Sequence, residues 1–300
     1  MMITNLIKYS RPGNLILGIM MYAFGVGMVD YLGKPIDWGT YWIGQGCVIF
    51  LLLSSSILKV YYNPVEPSQQ VEKNAERDQD GHIFTTPAGK RTLLLFSLTS
   101  LTIGAALSVL LLINGGFSLI VLLVLGVAFV LAFFYSVPPL RLVNSGYGEI
   151  IDAFLHVNLI PALAMLFQTN DMHRLLPMLT FPLTSLYLSM ALSLSLKDYS
   201  HYIRSGINNL MTRLTWRNGM NLHNILILCS YLILVMALLL GLPWSLGWPG
   251  LLTFPIGIYQ IWQMRQIANG VKPNWKVLDF TAVTLLSLTA YLLTITLWIG

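Results

Sequence analysis

Residues Lys197–Arg217 read KDYSHYIRSGINNLMTRLTWR, and this polar segment lies between two long apolar runs. The run before it, Leu175–Leu196, and the run after it, Leu222–Leu242, contain no lysine, aspartate or glutamate. Each is long enough to cross a lipid bilayer. Ionisable groups at the mouth of a membrane span are costly unless they face a cavity, a partner or the lipid headgroups. The segment is therefore either a solvated loop between two spans or part of a functional site.

The composition indicates an all-α integral membrane protein. Of the 300 residues, 56% are hydrophobic and 10% are charged, whereas soluble domains carry about 25% charged residues. This balance excludes the secreted, fibrous and disordered classes. The net charge of +5 falls almost entirely in predicted loops, so we expect no nucleic-acid partner. Cys47 and Cys229 both lie inside apolar runs and predict neither a disulfide framework nor a metal site.

Nine apolar runs of about 17–25 residues predict a bundle of nine transmembrane helices. The expected spans lie near Leu15–Tyr31, Tyr41–Leu58, Thr92–Ile113, Phe117–Phe134, Ile150–Phe167, Leu175–Leu196, Leu222–Leu242, Leu246–Met264 and Val277–Ile299. We expect one transmembrane domain over residues 1–300. Two long loops, 59–91 and 197–221, are expected to cap a chamber in the bundle, because long loops in compact proteins are usually functional or disordered.

The positive charges predict the orientation of this bundle. Of the 17 lysine and arginine residues, all but Lys34 and Arg174 fall on one side of the nine-span arrangement. Such residues are concentrated on the cytoplasmic side of membrane proteins. We therefore expect a multi-pass protein of the plasma (inner) membrane, with its N-terminus and both long loops in the cytoplasm and its C-terminus outside.

The second and sixth predicted helices end in a similar way, the second in LKVYYN (Leu58–Asn63) and the sixth in LKDYSHY (Leu196–Tyr202). Lys59, Lys197 and Arg204 are suited to binding phosphate oxygens. The tyrosines can donate hydrogen bonds or stack, and the apolar bundle behind them can hold an isoprenoid chain. Alternatively, each lysine extends to the lipid headgroups and each tyrosine belongs to the interfacial aromatic belt.

A weaker candidate is a pair of polar residues in the fifth predicted span. Asp152 and His156 are four residues apart, so they share one face of a helix. They either form a buried polar pair that lines the chamber, or Asp152 simply lies near the membrane interface. His201 and His223 have no second ligand at metal spacing.

A further stretch carries a family resemblance. Residues Phe133–Glu149 read FFYSVPPLRLVNSGYGE. This resembles the cytoplasmic loop of the UbiA superfamily of intramembrane prenyltransferases, whose usual form is Tyr-Ser-x-Pro-Pro-x-Arg-Leu followed by Gly-x-Gly-Glu. The matching residues are Tyr135, Ser136, Pro138, Pro139, Arg141, Leu142, Gly146, Gly148 and Glu149. KYSRPGNLILG, from Lys8 to Gly18, resembles the family's N-terminal Arg-Pro helix. FQTN (Phe167–Asn170) and RSGINNLMTRL (Arg204–Leu214) resemble the dihydroxynaphthoate branch, which makes menaquinone precursors.

The resemblance implies nine helices and magnesium-assisted chemistry. In the family, two Asp-rich motifs after helices two and six hold Mg²⁺ on the diphosphate of a prenyl donor. The diphosphate leaves, and an aromatic acceptor attacks the allylic cation. This chain departs from both motifs. Where the first should read Asn-Asp-x-x-Asp, it has Lys59 to Asn63 (KVYYN). In the second motif Asp198 is kept, but Tyr202 replaces the second aspartate. Of the motif carboxylates, the expected Mg²⁺ site keeps only Asp198. Other carboxylates lie further along the first loop and could fold back at a spacing that differs from the family's, namely Glu66, Glu72, Glu76, Asp78 and Asp80.

Three functions remain open at this point. The first and preferred one is a prenyltransferase that moves an isoprenyl group from a prenyl diphosphate to an aromatic or quinone-precursor acceptor among the membrane lipids. The second is a terpene cyclase or a metal-independent lipid-phosphate enzyme, and the third is a non-catalytic isoprenoid-binding protein. For the first, we expect Asp198, Lys59 and Lys197 to be catalytic. The expected substrate-binding residues are Asn63, Tyr62, Tyr135, Arg141, Tyr202 and Arg204.

Overall fold

The structure, a computed structural model, describes residues 12–62, 87–115 and 118–300, and these are helical with no strand among them. In chain order the helices are α1 (Pro12–Tyr31), α2 (Trp38–Tyr62), α3 (Pro87–Gly115), α4 (Leu119–Phe134), α5 (Gly148–Thr169), α6 (Leu175–Lys197), α7 (Tyr199–Arg204), α8 (Leu210–Leu214), α9 (Trp216–Leu239), α10 (Trp244–Leu251), α11 (Phe254–Ala268) and α12 (Trp275–Ile299). The all-α prediction is therefore confirmed. Helices are expected for such apolar runs, because a helix satisfies its own backbone hydrogen bonds in lipid.

Within the described residues, seven helices are long and apolar enough to cross a membrane, namely α1, α2, α3, α5, α6, α9 and α12. Their outer faces carry exposed large apolar side chains such as Leu232, which is 61% exposed. A soluble monomer rarely exposes apolar surface on this scale, whereas lipid covers it without cost. The protein is a multi-pass membrane protein.

The predicted count of nine spans is not reproduced, and two segments account for the difference. Helix α4 has 16 residues, or about 24 Å of helix, which is shorter than the roughly 30 Å hydrocarbon core. The predicted span Leu246–Met264 is broken into α10 and α11. Pro255 follows the break, and a proline disfavours helical geometry in the residue before it and lacks the N–H for a helical hydrogen bond.

The break between α10 and α11 is held by a buried hydroxyl. Thr253 Oγ1 donates a hydrogen bond to the Gly250 carbonyl at 2.8 Å. The same oxygen lies 3.0 Å from the Tyr231 hydroxyl of α9 and 2.8 Å from the Thr289 hydroxyl of α12. Polar groups freed by the interrupted helix thus find partners inside the bundle, as they must where water is absent.

Helix α1 lies at the centre of the packed core. Met21, Tyr22 and Phe24 are fully buried, and the helix packs against α5 and α12. The approach to α5 requires a glycine, since a Cβ at Gly25 would overlap the Pro161 backbone. Burial on so many sides explains why α1 has no polar face, and it fixes the positions of the helices that surround the cavity described below.

Helix α5 is irregular next to this contact. Its residues Phe154–Leu159 are π-helical, and Pro161 follows two residues later. Single π-helical turns are rare and are frequently found at functional sites. The irregular turn begins directly after Asp152 and Ala153, so it determines how the polar residues of α5 are presented to the interior.

The structure differs from the prediction in one of the two long loops and does not describe most of the other. Between α6 and α9, the expected loop 197–221 contains two short helices, α7 and α8, and α9 begins at Trp216, earlier than the expected Leu222. At the other loop, α2 continues to Tyr62 and α3 begins at Pro87. The intervening residues 63–86, with the predicted site residue Asn63, lie outside the described residues.

Candidate active site

A cavity of about 800 Å³ lies where α2, α5 and α6 meet the segment that contains α7 and α8. The apolar part of its lining consists of Met190, Ala191 and Leu194 of α6, with Val143 and Ile207. The side chains that give the cavity its polar character are Asn14, Lys59, Tyr62, Tyr135, Asn144, Glu149, Asp152, Tyr187, Ser195, His201, Tyr202, Arg204, Ser205 and Asn209. The cavity therefore combines apolar side chains with cationic, anionic and phenolic groups.

Lys59 enters the cavity from the last turn of α2 and contacts Tyr135. Its Nζ donates a hydrogen bond to the Tyr135 hydroxyl at 3.3 Å and lies 5.1 Å from the centre of the tyrosine ring. The next residue, Ser136, is buried and donates from its hydroxyl to the Ser55 carbonyl of α2 at 3.2 Å. The loop after α4 is thus tied to α2, which brings the lysine beside the stretch that carries the family resemblance.

The remainder of this loop is held from both sides. Arg141 adopts the left-handed backbone conformation, with φ of 41°, and its guanidinium donates to the Tyr62 carbonyl at 3.4 Å. On the other side, the guanidinium of Arg213 lies 4.1 Å from the centre of the Tyr147 ring and donates to the Ser145 carbonyl at 3.3 Å. These contacts join the ends of α2 and α8 through the loop.

The start of α5 is attached to α8 by a carboxylate. Glu149 Oε2 accepts a hydrogen bond from the backbone N–H of Leu210 at 3.1 Å. The preceding Asn209 caps α8 by accepting from the Thr212 N–H at 2.7 Å, and the Thr212 hydroxyl accepts from the Asn209 N–H at 2.9 Å. This reciprocal capping box satisfies the free N–H groups of the helix end and gives the cavity a fixed rim.

Asp152 forms a polar cluster with α6 and with the next turn of its own helix. The Tyr187 hydroxyl donates to Asp152 Oδ2 at 2.7 Å, and His156 Nδ1 lies 3.2 Å from Oδ1. The His156 and Tyr187 rings are stacked with centres 6.0 Å apart. The Asp152 side chain is 17% exposed and that of His156 is 4% exposed. Asp152 and Tyr187 therefore line the cavity, and His156 lies behind them.

The predicted site residues fall into three groups. Lys59, Tyr62, Tyr135, Tyr202 and Arg204 line the same cavity. The lining does not include Lys197, Asp198 or Arg141. Asn63 lies outside the described residues.

Lys197 and Asp198 lie instead near α12, where their charges act on Asp279. Lys197 is the last residue of α6 and Asp198 precedes α7. The residues of α7 that line the cavity are His201, Tyr202 and Arg204. Lys197 is therefore not among the residues that line the cavity with Lys59.

Several lining residues had no assigned role in the sequence analysis. Glu149 was recognised only as part of the motif, and Tyr187 lies within an apolar run. Tyr187 could have been singled out as the one tyrosine in the predicted span Leu175–Leu196. For Asn144 and Asn209 the sequence offers no comparable signal.

The described residues contain no preformed metal-binding group. Among them, no group of three or more histidine, cysteine, aspartate or glutamate side chains is close enough to hold a metal ion. Glu149 and Asp152 have hydrogen-bond partners on their oxygens, and Asp198 lies outside the cavity lining. Mg²⁺ is usually held by one or two carboxylates together with substrate phosphates and waters, and the carboxylates that line the cavity are those of Glu149 and Asp152.

Comparison with known proteins gives matches at the level of structure. Neither a protein-family model nor a curated protein matches the sequence. A UbiA homolog from Archaeoglobus fulgidus bound to GPP and Mg²⁺ superimposes with a TM-score of 0.65 and 13% identity, over 96% of this chain and 99% of that chain. Digeranylgeranylglyceryl phosphate synthase superimposes with a TM-score of 0.63 and 12% identity, over 100% of this chain and 98% of the other.

The A. fulgidus homolog bound to Cd²⁺ gives a TM-score of 0.62 at 14% identity, over 96% of this chain and 98% of that chain. The likeness therefore covers nearly the whole of both chains. At these low identities it concerns the path of the backbone and not the residues of the site. The protein has the fold of the UbiA homologs.

Proposed function

We propose that the protein is an intramembrane prenyltransferase that moves an isoprenyl group from a prenyl diphosphate to an aromatic or quinone-precursor acceptor. The observation that carries this proposal is the cavity, in which Lys59 and Arg204 lie with apolar side chains in a protein with the UbiA fold. Related structures were determined with GPP and with DMAPP, which supports a prenyl diphosphate as the donor.

The cationic part of the cavity suits the diphosphate. Lys59 and Arg204 can donate charge-assisted hydrogen bonds to phosphate oxygens, and the hydroxyls of Tyr62, Tyr135 and Tyr202 can add neutral ones. Because the leaving diphosphate gains negative charge as the C1–O bond breaks, donors held in position stabilise it more than they stabilise the bound donor. We assign the isoprenyl chain to the part of the lining that contains Met190 and Leu194.

The remaining predicted residues have supporting roles in this proposal. Lys197 and Asp198 hold the junction from which α7 presents Tyr202 and Arg204, and the Asp198 carbonyl accepts the Tyr202 N–H at 2.9 Å. Arg141 holds the end of α2 through Tyr62. Since no Mg²⁺ site is formed by the described residues, we assign the stabilisation of the leaving group to Lys59 and Arg204. Comparing the activity with Mg²⁺ and with EDTA tests whether the transfer also depends on the metal.

We infer that residues 1–300 form one domain with nine crossings, counting α4 as one and α10 with α11 as one. The distribution of lysine and arginine favours an N-terminus in the cytoplasm, a C-terminus outside and a location in the plasma membrane. Segment 197–221 then covers the cavity from the cytoplasm. Reporter fusions at Lys34 and at the C-terminus test this topology, and both should report an outside location.

The resemblance of FQTN and RSGINNLMTRL to the dihydroxynaphthoate branch favours a bicyclic aromatic acceptor. A second candidate function is a non-catalytic isoprenoid-binding protein. It is favoured by the lack of a metal-holding group among the described residues.

One experiment separates these two functions. The purified protein in lipid nanodiscs is incubated with geranyl, farnesyl or geranylgeranyl diphosphate and a naphthohydroquinone acceptor, with Mg²⁺ or with EDTA. Prenylated product and released diphosphate are measured. A transferase forms both in equal amounts. Tight binding of the donor by a folded protein, with no release of diphosphate under either condition, would favour the non-catalytic binder.

A further inference from the structure

We propose that Tyr187 closes the inner end of the cavity and limits the isoprenyl chain of the donor to about two or three units. The preferred donor is then geranyl or farnesyl diphosphate, and longer prenyl diphosphates are poor substrates. The inference rests on the proposed prenyl transfer. It adds to that function the chain length of the donor and the residue that determines it.

The cavity lies at one end of the bundle. Three of the long helices that border it contribute only residues from the end next to α7 and α8. Helix α1 contributes Asn14 from its first turn, α2 contributes Lys59 and Tyr62 from its last turn, and α5 contributes Glu149 and Asp152 from its first two turns. Along the described length of these three helices, no residue nearer the opposite end belongs to the lining.

The lining from α6 forms one stripe, which consists of Tyr187, Met190, Ala191, Leu194 and Ser195. The spacing of three and four residues places these side chains on one face of the helix. From 187 to 195 the stripe covers about 12 Å along the helix axis. Tyr187 is the lining residue of α6 that lies furthest from the C-terminal end of the helix. The side chains between the tyrosine and the serine are apolar, so the stripe suits a hydrocarbon chain.

Tyr187 is held in place by two side chains of α5. It is 4% exposed, and its hydroxyl donates a hydrogen bond to Asp152 Oδ2 at 2.7 Å. Its ring is stacked on that of His156 with centres 6.0 Å apart. Asp152 Oδ1 in turn lies 3.2 Å from His156 Nδ1. The tyrosine therefore cannot turn away from an approaching chain without breaking its hydrogen bond to Asp152.

The bundle is closely packed beyond Tyr187. Leu183, one turn further from the cavity on α6, is 0% exposed, and Leu155, one turn beyond Asp152 on α5, is 2% exposed. Protein interiors contain few voids larger than a water molecule. A chain that reaches Tyr187 thus meets packed side chains behind the ring and cannot continue along the bundle.

The length of the stripe gives the length of the donor. In the proposed function the diphosphate binds to Lys59 and Arg204, and Arg204 follows the end of α6, so the chain runs from the mouth toward Tyr187. Each isoprene unit adds four chain bonds of about 1.5 Å and spans about 5 Å when extended. A stripe of about 12 Å therefore accommodates two units and part of a third. The cavity volume of about 800 Å³ is within the range that encloses one small-molecule ligand.

The test measures transfer and binding as a function of chain length. Purified protein in lipid nanodiscs receives geranyl, farnesyl, geranylgeranyl or solanesyl diphosphate with one naphthohydroquinone acceptor, and kcat/KM is determined for each donor. Binding of the four corresponding non-hydrolysable thiodiphosphates is measured separately. We expect affinity to rise from geranyl to farnesyl, because more apolar surface is buried. Both kcat/KM and affinity should then fall about tenfold or more from farnesyl to geranylgeranyl, because the added unit has no space.

Two substitutions should move the limit in opposite directions. Tyr187→Ala removes the ring and should improve geranylgeranyl relative to farnesyl diphosphate by about tenfold or more, since it relieves the overpacking. Ala191→Phe places a ring in the middle of the stripe and should shift the preference from farnesyl toward geranyl diphosphate by a similar factor. Tyr187→Phe keeps the ring and loses only the hydrogen bond, so the limit should remain near that of the wild type.

Leu186→Ala is the matched control for Tyr187→Ala. Leu186 is the preceding residue of α6, is 1% exposed and does not belong to the lining. Its truncation leaves a void in the packed interior and lowers stability, but the order of preference among the four donors should not change. If Tyr187→Ala fails to fold, Ala191→Phe still tests the limit, because it enlarges a side chain that borders open space.

Two results would overturn the inference alone. One is a wild type that transfers and binds solanesyl as well as farnesyl, since the chain would then leave the cavity sideways into the lipid. The other is an active enzyme whose donor preference neither Tyr187→Ala nor Ala191→Phe changes. A chain-length limit in binding by a folded protein that transfers no prenyl group would instead refute the transferase function and leave the limit standing.

Discussion

The carboxylate of Glu149 accepts a hydrogen bond from the backbone N–H of Leu210 at 3.1 Å, which connects the start of α5 to the start of α8 across the rim of the cavity. The two residues are 61 positions apart in the chain. The contact therefore joins two segments that are far apart in the sequence, and it depends on the side chain of Glu149. Substitutions at Glu149 should reveal how far the rim contributes to the stability of the protein.

We expect Glu149→Ala to lower the free energy of unfolding by about 1–2 kcal/mol, because it leaves a partly buried N–H without its acceptor. Glu149→Gln keeps an acceptor oxygen and should lose less. Asp171→Ala is the control, since Asp171 is an exposed carboxylate that accepts from the Met172 N–H at 2.8 Å. Thermal unfolding in detergent measures all three. Equal losses for Glu149→Ala and Asp171→Ala would contradict a structural role of the rim contact.

Lys59→Met should weaken the binding of a prenyl diphosphate about ten- to a hundredfold, since a hydrogen bond to a charged group contributes about 1.5–3 kcal/mol. The stem of methionine replaces that of lysine, so packing against Tyr135 is largely kept. Binding is measured by titration with a non-hydrolysable farnesyl thiodiphosphate. Lys276→Met, an exposed lysine of α12 outside the cavity lining, should have no effect. A loss of equal size in both variants would indicate a general effect of surface charge.

Two glycines in the left-handed conformation offer a matched pair. Gly146 has φ of 80° and Gly206 has φ of 66°, so alanine at either position is strained by about 1–2 kcal/mol. A Cβ at Gly146 would also come within 3.1 Å of the Arg213 side chain, whereas a Cβ at Gly206 meets nothing within 4 Å.

Gly146→Ala should therefore destabilise the protein more than Gly206→Ala, and should also lower activity, because it moves Arg213 away from Tyr147. Unfolding and turnover are measured on both variants. If Gly206→Ala were the more damaging change, the contact between this loop and α8 would not be what holds the rim.

How far the sequence predicts the fold depends on the range of the interactions involved. The apolar runs locate the membrane helices well, because the cost of an unsatisfied backbone in lipid acts on each run by itself. The interruption before Pro255 is harder to predict. Whether a proline bends a helix or breaks it depends on whether partners such as Tyr231 and Thr289 are available for the freed groups, and these come from other helices.

The site is less predictable for the same reason. Lys59 and Tyr135 were singled out by local patterns, and the structure brings them together. The contact between Asp152 and Tyr187 joins two helices through side chains that no local pattern connects. The position of Asp198 near Asp279 of α12 depends on the packing of a helix almost at the end of the chain, so the motif position alone could not reveal it.

The close packing of α1 predicts a strong effect at a position far from the cavity. Gly25→Ala should lower the free energy of unfolding by more than about 2 kcal/mol, because its Cβ would overlap the Pro161 backbone and force α1 away from α5. Gly126→Ala in α4, where a Cβ meets nothing within 4 Å, should be neutral or stabilising, since alanine favours a helix over glycine by about 1 kcal/mol. Comparable destabilisation in both variants would argue against the tight contact.

Asp198→Ala distinguishes the two ways in which a diphosphate can be held. If Asp198 were a ligand of a catalytic Mg²⁺, the variant would lose nearly all activity, and the activity of the wild type would disappear in EDTA. In the arrangement described here Asp198 lies near Asp279 and outside the cavity lining. We therefore expect a loss of less than about tenfold, smaller than that of Lys59→Met, since only an indirect contact is removed. Initial rates of diphosphate release are measured for both variants with Mg²⁺ and with EDTA. A greater loss in Asp198→Ala than in Lys59→Met would indicate that a metal ion stabilises the leaving diphosphate.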